Sequence, residues 1–332
     1  MTNHAVPLAS AGAALLVAAA TLFAAPARAD ESNAEVNLPG PTQMLADAGG
    51  ANGNAASVSN PDEGPGSPIH QYFANFFNVV DKSQAEQPHW MTPIVTVTPR
   101  MEEELRWDQY WQTNAKGAGI VNYDAGKGLE LIPFETVEFI LQYPPYVQST
   151  IPGHKTVEGF ADWPFFLYKQ RLLTANEQNG NYILTFFLSG QAPAGIKAFS
   201  SNAYFITPTI AGGMGWGDFD FQATMGLAYP INNAAVVGKQ LITNVTLQYH
   251  FLQYIWPEFE FNDTLWMDGM QRGGRNQLFA MPGVILGRFP LFWRFRFNIG
   301  IGYQTALTKQ TYEPTLTPLY NHAWIMTARI PF

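Results

Sequence analysis

From Phe219 to Tyr229, and again from Trp293 to Tyr303, every second side chain is apolar and those between are polar or small. A period of two gathers the apolar side chains on one face of a β-strand. Each run opens and closes on an aromatic residue ten positions apart. Ten residues at about 3.3 Å each, tilted by about 40°, rise roughly 25 Å. That is the height of the lipid-facing band of a membrane barrel between its aromatic girdles. The alternate faces carry Asp, Gln, Arg and Asn, as a watery interior would.

The same period recurs at 244–251, 258–267 and 322–332, and more weakly at 92–112, 129–142, 160–172, 181–189, 203–212 and 277–288. Beyond residue 29 no run of apolar residues is long enough for a membrane helix. Bacterial single-chain barrels have even strand numbers, whereas these candidates number eleven. The missing strand is expected at Ile69–Val80 or Ala118–Tyr123, and Ile69–Val80 reads equally as a short helix plugging the lumen. The fold expected is an all-β, transmembrane, antiparallel up-and-down barrel over 92–332, with twelve strands and ten as the fallback.

Connections alternate in length. Short ones are expected near Asn179-Gly180, Gly213–Gly217, Trp256-Pro257 and Phe289–Leu291. Long ones are expected at Gly190–Asn202, Pro230–Gly238, Asp268–Asn276 and Ala306–Leu319. Tight periplasmic turns and larger external loops give this pattern. It sets 268–276 and 306–319 outside and Trp256-Pro257 in the periplasm.

The N-terminus reads as targeting sequence. Ala11–Ala25 is almost wholly apolar and ends in Ala27-Arg28-Ala29, a small-x-small cleavage pattern, although Met1–His4 holds no Lys or Arg. The expectation is a cleaved signal peptide over 1–29 and export to the bacterial outer membrane. Residues 30–68 are rich in Gly, Ala, Asn, Pro and Ser, carry acids without bases and lack aromatics. They read as a disordered linker, followed by a short plug or first strand at 69–91.

Composition narrows function by exclusion. With no Cys, the chain has no disulfide, thiol nucleophile or Cys-held metal. A net charge of −8 from 18 bases and 26 acids argues against a nucleic-acid partner. The six His show no metal-ligand spacing. No Ser flanks His154 or His322 for a lipid hydrolase of the barrel wall, and His250 reads as facing the lumen. Asn122–Gly128 is a plain turn rather than a calcium loop, and Gly212–Gly217 lacks the Lys-Ser/Thr ending of a phosphate loop. Glu102, Glu103, Glu104, Arg106 and Asp108 read as lumen and interface positions of a long strand. No catalytic residue, metal ligand or cofactor is expected.

Six charges, Asp218, Asp220, Glu258, Glu260, Arg294 and Arg296, each sit near the start of a strand after a short turn. They are expected to line the lumen at its periplasmic mouth, with arginines pairing across to carboxylates.

Trp324, Met326, Ala328, Ile330 and terminal Phe332 alternate at the chain's end. They resemble the C-terminal assembly signal of bacterial outer-membrane barrels, which implies the barrel assembly machinery and outer-membrane lipid as partners. From about residue 92 onward the chain resembles the barrel family labelled "meta-pathway of phenol degradation". The likeness lies in Gly212-Gly213-Met214-Gly215-Trp216-Gly217-Asp218 and in the hairpin ending Gly300-Ile301-Gly302-Tyr303. It implies an outer-membrane pore or transporter for small solutes, hydrophobic or aromatic compounds among them. The alternatives are a non-conducting structural barrel and a barrel lipid hydrolase.

Overall fold

The computed structural model describes residues 68–114, 117–124, 127–308 and 320–332. The targeting segment, the linker as far as residue 67 and most of the 306–319 loop lie outside these residues.

Twelve staves close into an antiparallel barrel. β1 is Glu104–Thr113. β2 has two pieces, Gly119–Tyr123 and Gly128–Phe134. β3 also has two, Val137–Gln142 and Tyr146–Thr150, as does β4, Val157–Phe160 and Trp163–Ala175. Then follow β5 Tyr182–Ala192, β6 Phe205–Trp216, β7 Phe219–Pro230 and β8 Gln240–Tyr249. The wall ends with β9 Ile255–Trp266, β10 Arg275–Pro290, β11 Arg296–Ala306 and β12 His322–Pro331. β12 pairs with β1 from Glu104↔Pro331 to Thr113↔His322, which closes the wall, and only the short first piece of β4 is left paired on one side. An 18-residue helix, α1 (Pro68–Ala85), precedes the barrel, and a single turn, α2 (Ala234–Val237), lies between β7 and β8.

The breaks have local causes. Pro144 and Pro145 have no N–H to donate and part the two pieces of β3. At the break in β4, Asp162 accepts from the Ser201 N–H at 2.7 Å and its hydroxyl at 2.6 Å, tying down the β5–β6 connection. Both ends of the barrel chain, Glu104 and Pro331, share one rim with the two-residue turns at 135–136 and 217–218. The opposite rim carries the long connections, such as 193–204 and 231–239.

The exterior is apolar where a water-exposed wall would not be. Trp107, Trp111 and Trp324 are 45%, 44% and 53% exposed. Phe219 and Tyr229, ten positions apart, are both exposed, one at each end of β7. Lipid, not water, suits such a surface. The interior is the reverse, with Glu104, Asp108, Glu138, Lys169, Glu260 and Arg329 all within 1% exposure. No helix among the described residues is long and apolar enough to cross a membrane, which says nothing of strands.

Several boundaries differ from the sequence reading. Strand β1 begins at Glu104, not at 92; residues 92–103 lie inside the barrel. The 129–142 stretch is two strands joined at Glu135-Thr136. Of the two candidates for the missing strand, Gly119–Tyr123 is one, as the first piece of β2, whereas Ile69–Val80 is helix. The reversal near Trp256-Pro257 is at 250–254, and both residues sit within β9. β6 runs through Gly213–Trp216 and turns only at Gly217, whose positive φ of 57° suits glycine. Phe292–Phe295 is a turn, so β11 starts at Arg296.

Candidate functional site

The barrel's interior is occupied by its own chain. The N-terminal half of α1 is largely exposed, while Tyr72 donates to the Pro133 carbonyl at 3.0 Å and Lys82 pairs with Glu135 at 2.8 Å. The helix therefore lies at the short-turn rim. Arg171 of β4 catches its end, donating to the Ser83 carbonyl (2.9 Å) and to Glu86 (2.7 Å). From there residues 86–103 enter the lumen, loop back and meet themselves. Gln87 exchanges hydrogen bonds with the Met101 main chain at 2.8 Å each way.

This segment contains Pro93 and Pro99 and joins no β-ladder, so its main-chain groups need other partners. The wall supplies them. Glu260, halfway along β9, accepts from the N–H groups of Val95 and Thr96, each at 2.7 Å, and from the Thr96 hydroxyl at 2.5 Å. Glu258 accepts from the Ile94 N–H at 3.1 Å and from Gln248 at 2.7 Å. Arg106 donates to the Ile94 carbonyl at 2.5 Å, and Arg329 donates to the carbonyls of Thr92 and Pro93. Lys169, Thr185 and Gln222 hold the Arg100, Pro99 and Met91 carbonyls at 3.1, 2.6 and 3.1 Å. Glu138 takes the Glu102 N–H at 2.6 Å. The holding side chains come from β1, β3, β4, β5, β7, β9 and β12. Hydrogen bonds to charged groups contribute about 1.5–3 kcal/mol each, and burying such charges without partners would cost more.

Apolar contacts complete the seat. Met91 and Ile94 join Tyr110, Trp256, Met281, Ile285, Ala323 and Ile325 in a core inside the barrel. Glycines make room for two knobs. A Cβ on Gly213 would stand 2.5 Å from the Trp90 ring, and one on Gly215 2.6 Å from its Nε1. Trp90 also donates to Asn181 at 2.9 Å. Across the lumen, a Cβ on Gly283 or Gly300 would stand 2.8 or 3.1 Å from Ile94. The glycine run beginning at Gly212 is thus a socket for Trp90.

Below the segment, toward the short-turn rim, a cavity of about 540 Å³ opens between α1, the lumen segment and β10–β12. Glu103 and Glu104 line it near the start of β1, and Arg294 and Arg296 near the start of β11, with β12 between them in the wall. Glu103 lies just ahead of β1. Burial pushes its carboxyl up to about 7, against the opposing pull of the Ile132 N–H and of Arg294. One oxygen of Glu103 and one of Glu104 are buried without a hydrogen-bond partner.

Of the six charges expected at the mouth, Asp220, Glu258 and Glu260 are buried in the lumen. Asp218 is exposed in the turn at 217–218. Arg294 lies in the 291–295 turn, pairs with Asp81 of α1 at 2.8 Å and stacks on Phe77. Arg296 is exposed at the start of β11 and lines the cavity. The expected pairing of these arginines with the carboxylates of β7 and β9 does not form: Glu258 and Glu260 accept from N–H groups of the lumen segment, Asp220 accepts from the Gln222 side chain, and Arg294 turns to Asp81. Ion pairs in the lumen include Arg106–Asp108 at 3.0 Å, Arg100–Glu102 at 2.8 Å and Lys169–Glu138 at 2.8 Å, with Lys169–Glu130 and Arg329–Glu104 looser at 4.0 Å. Arg329 and Lys169 escaped the sequence reading, though each is a charge at an inward position of its strand. His250 stacks on Trp256 in the 250–254 turn. Trp324, Met326 and Ile330 face outward on β12, and the Phe332 ring lies against Phe295.

No family model matches the sequence, and no curated protein does. Among solved structures, an outer membrane channel of Pseudomonas putida F1 is similar at 14% identity and TM-score 0.46, over 69% of this chain and 94% of that one. OmpF of Salmonella typhi, in complex with daunomycin, is similar at 8% identity and TM-score 0.35, over 69% and 96%. OmpT, an outer membrane protein of Vibrio cholerae in trimer form, is similar at 8% identity and TM-score 0.30, over 69% and 97%. These are outer-membrane barrels. At these values the likeness is one of barrel shape alone.

Proposed function

We propose that the chain is an outer-membrane channel, closed in its folded state by residues 86–103, that passes small solutes when this segment shifts. The observation that carries the reading is the inversion of the wall, apolar and aromatic-rimmed outside and charged inside. A barrel built so lies in lipid and keeps a hydrophilic path through its axis. The signal peptide, the outer-membrane destination and the assembly role of Trp324, Met326, Ile330 and Phe332 belong to the same reading. So does membership of the phenol-degradation barrel family, which implies hydrophobic or aromatic solutes. The charged lumen favours small polar solutes over these.

The seated segment itself favours a second reading, a non-conducting structural barrel. Planar-bilayer recordings separate the two. Wild-type protein is expected to show brief, small openings, and the Trp90→Ala/Ile94→Ala double variant sustained conductance. Silence in both, from correctly folded protein, would leave the structural barrel.

A further inference from the structure

The cavity at the short-turn rim has a chemistry of its own. Its walls carry four arginines and four carboxylates, so its formal charge balances. Much of this charge is already engaged. Arg288 donates to the main chain of His89 and Trp90, Arg100 pairs with Glu102, and Arg294 pairs with Asp81. What remains unspent is specific. Glu103 and Glu104 are 2% and 1% exposed, and each keeps one oxygen without a hydrogen-bond partner, that of Glu104 standing 4.0 Å from the Arg329 guanidinium. Beyond β12 from them, Nε of Arg294 is buried and without a hydrogen-bond partner, and Arg296 makes no ion pair among the described residues.

Buried polar atoms without partners are costly and mark places where a ligand or water completes the structure. A single anion would satisfy the guanidinium side and stand against two carboxylates. A single cation would do the reverse. A molecule with an ammonium at one end and a carboxylate at the other satisfies both sides and adds no net charge. The volume, about 540 Å³, lies in the usual range for small-molecule sites. It admits a free amino acid or a short peptide with some water.

We propose that this vestibule binds small zwitterionic solutes of the amino-acid or dipeptide class. Their ammonium group sits on Glu103 and Glu104 and their carboxylate on Arg294 and Arg296. This deepens the channel reading by naming a solute class, and it rests on that reading only for passage, not for binding. Binding here places the solute directly beneath the lumen segment, against Met91 and Thr92.

The test is a titration of the full chain, folded in detergent, with glycylglycine, glycinamide and N-acetylglycine. Trp293 lines the cavity and is 75% exposed, so tryptophan fluorescence reports occupancy, with calorimetry as the check. Glycylglycine is expected to saturate, with each single-ended probe about tenfold weaker or more, an interval equal to about 1.4 kcal/mol. Glu103→Gln should lower glycylglycine toward the affinity of N-acetylglycine and leave N-acetylglycine unchanged. Arg296→Gln should lower glycylglycine toward glycinamide and leave glycinamide unchanged. Because Arg296 is exposed, that variant decides the matter if Glu103→Gln does not fold. Equal affinities for all three probes, no saturation by any, or glycylglycine binding indifferent to Arg296→Gln would overturn the proposal. Binding needs no conductance, so a barrel that binds glycylglycine but never conducts would overturn the channel and spare this site.

Discussion

Gly213 shows how little room the lumen leaves for change. Its missing side chain is filled by the Trp90 ring, and a Cβ there would stand 2.5 Å from it. Gly213→Val should therefore unseat Trp90 without touching the lipid face. In a Thr98→Cys background, where residue 98 is buried and the native chain offers no competing thiol, maleimide should label the Gly213→Val protein much faster than its parent. Equal rates would mean that the segment does not depend on this socket. Glu103 makes a second prediction, in pH. Its carboxyl titrates at about 7 when folded, against an ordinary value of 4.5. An acid raised in this way holds its proton more tightly when folded. Stability is then fullest below about pH 4.5 and declines as pH rises toward about 7. Glu103→Gln removes that decline and keeps an acceptor for the Ile132 N–H. It should lengthen the life of the folded gel band at about pH 8 and leave it unchanged at about pH 4. A variant shorter-lived than wild type at the higher pH would show that the ionised carboxylate is the stabilising form.

At the scale of elements, the topology assigns sides. The 250–254 turn shares a rim with the chain ends, and 268–274 lies on the other. A Cys at Gly273 should react with an impermeant reagent on intact cells, and one at Leu252, 65% exposed, only after the outer membrane is opened. The reverse result would invert the barrel. The strands were legible because their two faces meet different solvents. β7 shows it: Phe219 and Tyr229 look out, Asp220 and Gln222 look in, and the alternation is written in the residues. The segment 92–103 was misread for the same reason. Ile94, Thr96 and Thr98 alternate with Val95 and Val97 as a strand would, and no local pattern says that their N–H groups find carboxylates of β9 instead of a ladder. Proline at 93 and 99 was the available signal. Asp220, Glu258 and Glu260 could be placed in the lumen by period alone. Their partners could not, since Glu260 and Val95 are 165 residues apart. The turn at Glu135-Thr136 was hidden because Leu131 to Leu141 stays apolar at most alternate positions across it.

For the whole molecule, a wall closed on itself should resist detergent until heated. An unboiled sample is expected to migrate apart from a boiled one, and its far-ultraviolet circular dichroism to be that of a sheet. A helical spectrum would contradict the fold. Phe332 closes the barrel's last corner, its N–H donating to the Glu103 carbonyl at 3.0 Å and its ring against Phe295. Deleting it should lower the amount of assembled protein in the outer membrane; normal levels would remove this residue from any assembly role.

The grip of Arg329 on Thr92 and Pro93 carries one more consequence, in the order of manufacture. The two partners are 237 and 236 residues apart, so the earliest part of the barrel chain waits for almost the latest. Closing so long a loop is slow. A chain halted before β12 has neither a seam nor the guanidinium that the lumen segment requires. The segment thus works as a receipt for a finished barrel. In refolding, the thiol at Thr98→Cys should become protected together with the heat-modifiable band and never ahead of it. A nascent or truncated barrel should stand open, its 86–103 segment still within reach of a protease.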